Sequence, residues 1–132
     1  MNTNNPSFST VCPYLMVDSI EKQIEFLTSI LGAIVTEDLK SGDGLSFHAE
    51  VRLGHVTIMM GRGRKEYPSQ PSMNYVFVKD VDAVFKNAVE QGATSVMEPA
   101  NQSYGLREGG FKDMHGNTWW VAQHIIAFRS SE

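Results

Sequence analysis

In "FHAEV" (47–51) apolar and polar residues alternate, so His48 and Glu50 fall on one face of a strand together with Arg52. Phe47, Ala49, Val51 and Leu53 take the opposite face. A carboxylate beside an imidazole can orient it as a general base. The same pair on a solvated face is an ion pair of little consequence. We read a solvated face first and keep His48 as the acid–base candidate of the chain. "SYGLRE" (103–108) adds Tyr104 and Arg107. A guanidinium there can grip a carboxylate or phosphate through two parallel hydrogen bonds, or close a surface ion pair with Glu108 or Asp113. Cys12 is the single cysteine and could in principle be a nucleophile served by His48. Neither a tight elbow nor a helix N-terminus surrounds it to stabilise a thiolate, so it reads as an inert, largely buried thiol. Finally, "KDMHGNTWWVAQHI" (112–125) sets Trp119 and Trp120 side by side, which in a strand sends one indole into the core and the other to the far face. His115 and His124 in the same stretch are expected to be exposed.

The elements that would position these residues come as a weak internal repeat, offset by about sixty residues. "CPYLMVDSIEKQIEFLTSILGA" (12–33) matches "MNYVFVKDVDAVFKNAVEQGA" (73–93) in grammar. Each opens as a short strand with a tyrosine, passes through a helix and ends in Gly-Ala. In the first, Asp18 is the expected cap, with Glu21 three residues on as a capping box. Ile20, Ile24, Leu27 and Leu31 share a helical face, and Gly32 takes the C-terminal turn. In the second, Asp80 caps, Val81, Val84, Phe85 and Ala88 form the face, and Gly92 ends it. Strand-like runs follow each helix, "AIVTEDL", "LSFHAEVRL" and "HVTIMMG" in the first half, "ATSVMEP", "LREGGFKD" and "NTWWVAQ" in the second. Gly54 and Gly116 mark the late turns. The expected architecture is α+β, two tandem βαβββ modules, about 11–61 and 73–125. Residues 62–72, basic and then rich in Pro and Ser, read as a linker, and 1–10 as a flexible tail before a single domain at 11–132.

Composition narrows the function. Apolar residues make up 42% and charged residues 20% of 132, with a net charge of −4. That is an ordinary globular balance with no general affinity for nucleic acid or an anionic membrane. Neither a spanning run nor the basic and apolar regions of a secretory leader are seen, and one cysteine suits a reducing cytosol, so a cytoplasmic location is expected.

The paired βαβββ grammar and the "D-x-x-G-N-x-W" turn of Asp113–Trp119, within "YGLREGGFKDMHGNTWWVAQ" (104–123), resemble the vicinal-oxygen-chelate superfamily of glyoxalases, extradiol dioxygenases and bleomycin-resistance proteins. The likeness covers about residues 11–125. It implies a curved mixed sheet with helices on its convex face, a ligand cup on its concave face, and a homodimer. In the family's metal enzymes the ion is held by residues of each module's first strand and by residues four past each late turn glycine. Carried over, these positions are Cys12 and Met73, Ile58 and Trp120, and Met114 and His115 replace the Pro and Asp common in the family turn. A thiol, a thioether, an isoleucine and an indole cannot serve a hard or borderline cation, so no metal or other cofactor is expected. Parity would line the cup with Cys12, Tyr14 and Met16, with Met73, Tyr75 and Phe77, with Val56, Ile58 and Met60, and with Trp120. The same residues could instead fill a closed core. Tyr104 and Arg107 belong to a loop that the family places near the cavity mouth. The expected function is metal-independent binding of a flat, partly apolar small molecule, aromatic or cationic, through Cys12, Tyr14, Met60, Met73, Tyr75, Tyr104, Arg107 and Trp120. The alternatives are a lyase, isomerase or dioxygenase with a displaced metal site or with metal-free chemistry at His48 and Arg107, and a structural or interaction module with a filled cup.

Overall fold

A computed structural model describes residues 8–125, so most of the expected N-terminal tail, residues 1–7, lies outside the described residues. The chain divides into two compact units between Gln70 and Pro71. Each is a βαβββ module with its own four-stranded sheet, ordered β1-β4-β3-β2 in the first and β5-β8-β7-β6 in the second.

Module 1 comprises β1 (Tyr14–Val17), α1 (Ile20–Leu31), β2 (Ile34–Lys40), β3 (Ser46–Leu53) and β4 (Val56–Arg62). Strand β1 runs parallel to β4, as a strand must when a helix carries the chain across the sheet, and the other pairs are antiparallel hairpins. The helix cap differs from the expected one. Ser19, not Asp18, holds the extended N-cap conformation and accepts the Lys22 N–H at 3.2 Å. Glu21 is drawn away from any capping box by β3, where it accepts the Ser46 N–H at 2.7 Å. That bond is also the first reason its carboxyl titrates below the ordinary value. The buried stripe of α1 is Ile20, Gln23, Leu27 and Ile30, rotated from the expected one, and it packs on the sheet with Leu15, Val17, Ala49, Val51 and Met60. Covering a side chain of this size contributes about 1.5–3 kcal/mol, so these residues hold the module together. Gly32 ends the helix at φ 75°, the left-handed conformation that only glycine adopts cheaply.

Module 2 repeats the plan with β5 (Met73–Phe77), α2 (Val81–Glu90), β6 (Thr94–Asn101), β7 (Leu106–Lys112) and β8 (Thr118–His124). Asp80 caps α2 as expected, accepting the Ala83 N–H at 3.1 Å. Pro99 sits inside β6, where it is tolerated because β6 is a sheet edge. The core is Val81, Ala88, Phe111, Trp119 and Val121, with Phe85 edge-on to Phe111 at 6.2 Å.

Candidate functional site

The turn that carries the "D-x-x-G-N-x-W" motif is a buried hub rather than a chemical centre. Asp113, 6% exposed, accepts the N–H groups of His115 (2.9 Å) and Asn117 (3.0 Å), the Asn117 side-chain amide (3.2 Å) and the indole N–H of Trp119 (2.9 Å). Asn117 in turn accepts from the backbone and hydroxyl of Ser72, each at 2.9 Å, which ties the turn to the start of β5. Trp119 is therefore the core indole, and Trp120 points to the sheet face away from α2.

That second face of module 2 follows from register. Tyr75 pairs with Trp120 on one side and Gly110 pairs with Trp120 on the other, while Phe77 and Glu108 both pair with Ala122. Paired residues share a face, so Met73, Tyr75, Phe77, Glu108, Gly110 and Trp120 lie together. Two adjacent glycines in β7 serve opposite faces. A Cβ on Gly109 would crowd Phe85 and Pro99 on the helix side, whereas one on Gly110 would stand 2.6 Å from two ring carbons of Trp120. The indole thus lies over the bare backbone of β7. Tyr75 and Phe77 are in ring contact at 5.6 Å, and His124, exposed as expected, stacks on Phe77 at 5.4 Å.

Within this ring-lined face sits a carboxylate that no sequence motif marks. Glu108 is only 8% exposed and accepts hydrogen bonds from both Tyr75 and Tyr104, the latter at 2.6 Å. Burial first, and then the bond to Glu108, raises the Tyr75 phenol well above the ordinary tyrosine value; Tyr104 is raised mainly by its own bond to Glu108. The available signal was parity, since Glu108 and Gly110 alternate along β7, but an acidic residue next to Arg107 reads as its surface partner.

Arg107 itself does not join this face. Odd positions of β7 point to the helix, so its guanidinium donates to both oxygens of Asp82 on α2, at 2.8 and 2.9 Å, and to Asn101 at 3.0 Å. That pair also keeps the Asp82 carboxyl below its usual range. Arg107, expected near the cavity mouth as a ligand-gripping or acid–base group, stands instead on the α2 side of β7.

Module 1 brings a second correction. β1 pairs Tyr14 with Met59 and Leu15 with Met60, so Met60, fully covered, belongs to the helix-side core together with Ile58. The face shared with Tyr14 and Met16 is Thr57, Met59 and Gly61. Counting from the turn glycine failed because the two late turns differ. Leu53 opposes Val56 across two residues, whereas Lys112 opposes Thr118 across five. The count placed Trp120 on the outer face but slipped by one in β4, and a slip of one reverses the face. Cys12 precedes β1, where Ser9 accepts the Thr57 N–H at 3.2 Å and Cys12 donates to the Ser9 carbonyl at 3.3 Å.

His48 and Glu50 lie on this same face of module 1, paired with Gly61 and Met59. They are not a solvated ion pair. Their side chains are 22% and 12% exposed, His48 Nε2 stands 2.9 Å from Glu50 Oε2, and Nδ1 stands 3.3 Å from the Tyr14 hydroxyl.

The four positions that the resemblance marks as ion-holding correspond, once the register replaces Ile58 by Met59, to Cys12 and Met59 in module 1 and Met73 and Trp120 in module 2. Two thioethers, a thiol and an indole whose N–H only donates do not fit a hard or borderline divalent cation. Among the described residues no three His, Cys, Asp or Glu side chains gather as a metal cluster. No helix among them is long and apolar enough to cross a membrane.

Paired βαβββ modules, each a four-stranded mixed sheet with a helix on one face, define a glyoxalase-type fold. The chain belongs to the Glyoxalase/Bleomycin resistance protein/Dioxygenase superfamily, whose profile matches residues 9–121. An uncharacterized protein of Mycobacterium bovis is 29% identical over 124 residues, covering 86% of this chain and 82% of that protein. Among solved structures, TioX from Micromonospora sp. ML1 superposes with a TM-score of 0.76 at 22% identity, over 89% of this chain and 99% of that one. A superfamily member from Sphaerobacter thermophilus gives 0.67 at 18% identity, over 89% and 98%. At such identities these structures speak for the fold alone.

Proposed function

We propose that module 2 binds a flat, partly apolar ring system without a metal ion, and prefers a cationic one. The observation that carries this reading is the indole of Trp120 lying over Gly110, with Tyr75 paired beside it. A ring so supported offers its free face for stacking, and aromatic stacking contributes about 0.5–1.5 kcal/mol beyond the area it covers. A cation over these rings gains from their quadrupoles. The covered carboxylate of Glu108, held by two phenols, supplies the matching charge. Apolar walls with a few oriented polar groups are how small-molecule sites are built. Metal independence rests on the chemistry of Cys12, Met59, Met73 and Trp120.

The test uses tryptophan fluorescence with 9-aminoacridine, a flat cation at neutral pH, and with neutral acridine. Both are expected to quench, the cation at lower concentration, and treatment with a chelator is expected to change neither curve. Trp120→Ala should abolish the response of both. Equal affinities in Trp120→Ala and the parent protein would sink the stacking reading, and a response lost on chelation would sink metal independence.

A further inference from the structure

We propose that Glu50, His48 and Tyr14 form a proton relay on module 1, presenting the Tyr14 phenol oxygen to a ligand that carries a weakly acidic hydroxyl. All three residues belong to module 1. The three groups are ordered by exposure, with Glu50 the most covered, His48 next and Tyr14 52% exposed. An ionised Glu50 accepts the Nε2 proton of His48, which leaves Nδ1 with a lone pair. Tyr14 then donates to Nδ1 and keeps its oxygen lone pairs at the open end. The phenol has no other hydrogen-bond partner among the described residues.

Two features argue for a built site rather than a chance contact. A Cβ on Gly61 would stand 3.1 Å from both the ring and the oxygen of Tyr14 and 3.0 Å from the Met16 sulfur. The bare backbone at Gly61 therefore gives the phenol its seat. Module 2 also repeats the arrangement with one change. Gly61, two past the partner of Tyr14, pairs with His48; Ala122, two past the partner of Tyr75, pairs with Glu108. Both modules thus bond the opening tyrosine to a titratable group at the same lattice point. A carboxylate there accepts the phenol hydrogen bond; an imidazole, more basic, can accept and keep the proton.

The step balances within the site. The ligand O–H breaks as its proton passes to Tyr14 Oη, and the Tyr14 proton passes to His48 Nδ1. The ligand becomes an oxyanion, the imidazole an imidazolium beside Glu50, and net charge is unchanged. The other charged groups around His48 and Glu50 are Arg52 on the same face of β3 and Glu37, which pairs with Glu50 from β2; Leu39 on β2 and Thr57, Met59 and Gly61 on β4 bring none.

The probe is 4-nitrophenol, whose ionisation is read from its phenolate absorbance. Bound to the parent protein, it should ionise about one pH unit or more below its free value, the size of shift a neighbouring cation produces. Tyr14→Phe and His48→Gln should each abolish that shift, Glu50→Gln should diminish it, and Trp120→Ala should leave it intact. Tyr14→Phe keeps the ring against Gly61 and removes only the oxygen, so it separates the relay from folding. Nitrogen-15 NMR of the imidazole supplies a readout without ligand: the Nε2–H tautomer in the parent, and loss of that bias in Glu50→Gln. An Nδ1–H tautomer, or a 4-nitrophenol titration identical in the parent and in Tyr14→Phe, overturns the proposal. A shift that depends on Trp120 instead would assign the effect to module 2 and likewise overturn it.

Discussion

Glu108→Gln probes the carboxylate that two tyrosines share. The amide keeps the shape and removes the charge. Its oxygen can still accept one phenol, but its nitrogen is a donor, so the other phenol must turn its proton away. A hydrogen bond to a charged group contributes about 1.5–3 kcal/mol and a neutral one about 0.5–1.5, so the Tyr75 bond should weaken by about 1 kcal/mol. The lower cost of covering an amide offsets part of this. Stability at neutral pH should therefore fall only slightly, and the larger effect should appear in the phenol titration. In the parent protein Tyr75 and Tyr104 hold their protons more tightly folded than unfolded. The stability this contributes is fully present below the ordinary tyrosine value of about 10 and is lost as pH rises through the folded values. In Glu108→Gln, Tyr104 should return toward the ordinary value. Tyr75 should fall only partway, because burial, the first cause of its shift, remains. Phenolate absorbance followed against pH, with denaturation measured at neutral and alkaline pH, checks both parts. A phenolate curve unchanged in Glu108→Gln would refute the shared-carboxylate account.

The two glycines of β7 should differ in what they tolerate. Gly110→Ala drives a methyl group into the Trp120 ring and should cost about 1–3 kcal/mol in urea denaturation, the usual range for overpacking, and weaken acridine binding several-fold. Gly109→Ala meets only contacts of 3.3–3.5 Å and should cost less; equal costs would contradict the placement of the indole. Asp113→Ala removes the hydrogen bonds that its carboxylate accepts from the Trp119 indole and the Asn117 amide, in places 1% and 0% exposed. It should destabilise by about 3–5 kcal/mol, since losing the partner of a buried donor costs about 1–3, and a loss under about 1 kcal/mol would show that the hub is not structural.

The sequence by itself determined the fold, because its signals are local. The repeated strand–helix grammar, the Asp80 cap, Gly32 and the Asp113–Trp119 turn each specify nearby backbone, and together they specify two βαβββ modules. It also determined that one of two neighbouring indoles had to be core, since strand parity admits nothing else. Which outer-face residues meet was decided by tertiary structure. Tyr14 is brought to the His48–Glu50 pair by β1 pairing with β4 and β4 with β3, over a separation that no local pattern encodes. The same pairing sent Met60 to the core and Met59 outward, because a two-residue turn in one module and a five-residue turn in the other reverse the parity counted from glycine. Arg107 turned to Asp82 rather than to a ligand because its strand position faces α2. Glu108 became a covered acceptor only when Tyr75, distant in the chain, closed over it beside its near neighbour Tyr104. A strand's alternation fixes that two faces exist; the register of its neighbours fixes which face is which, and that is a property of the folded chain.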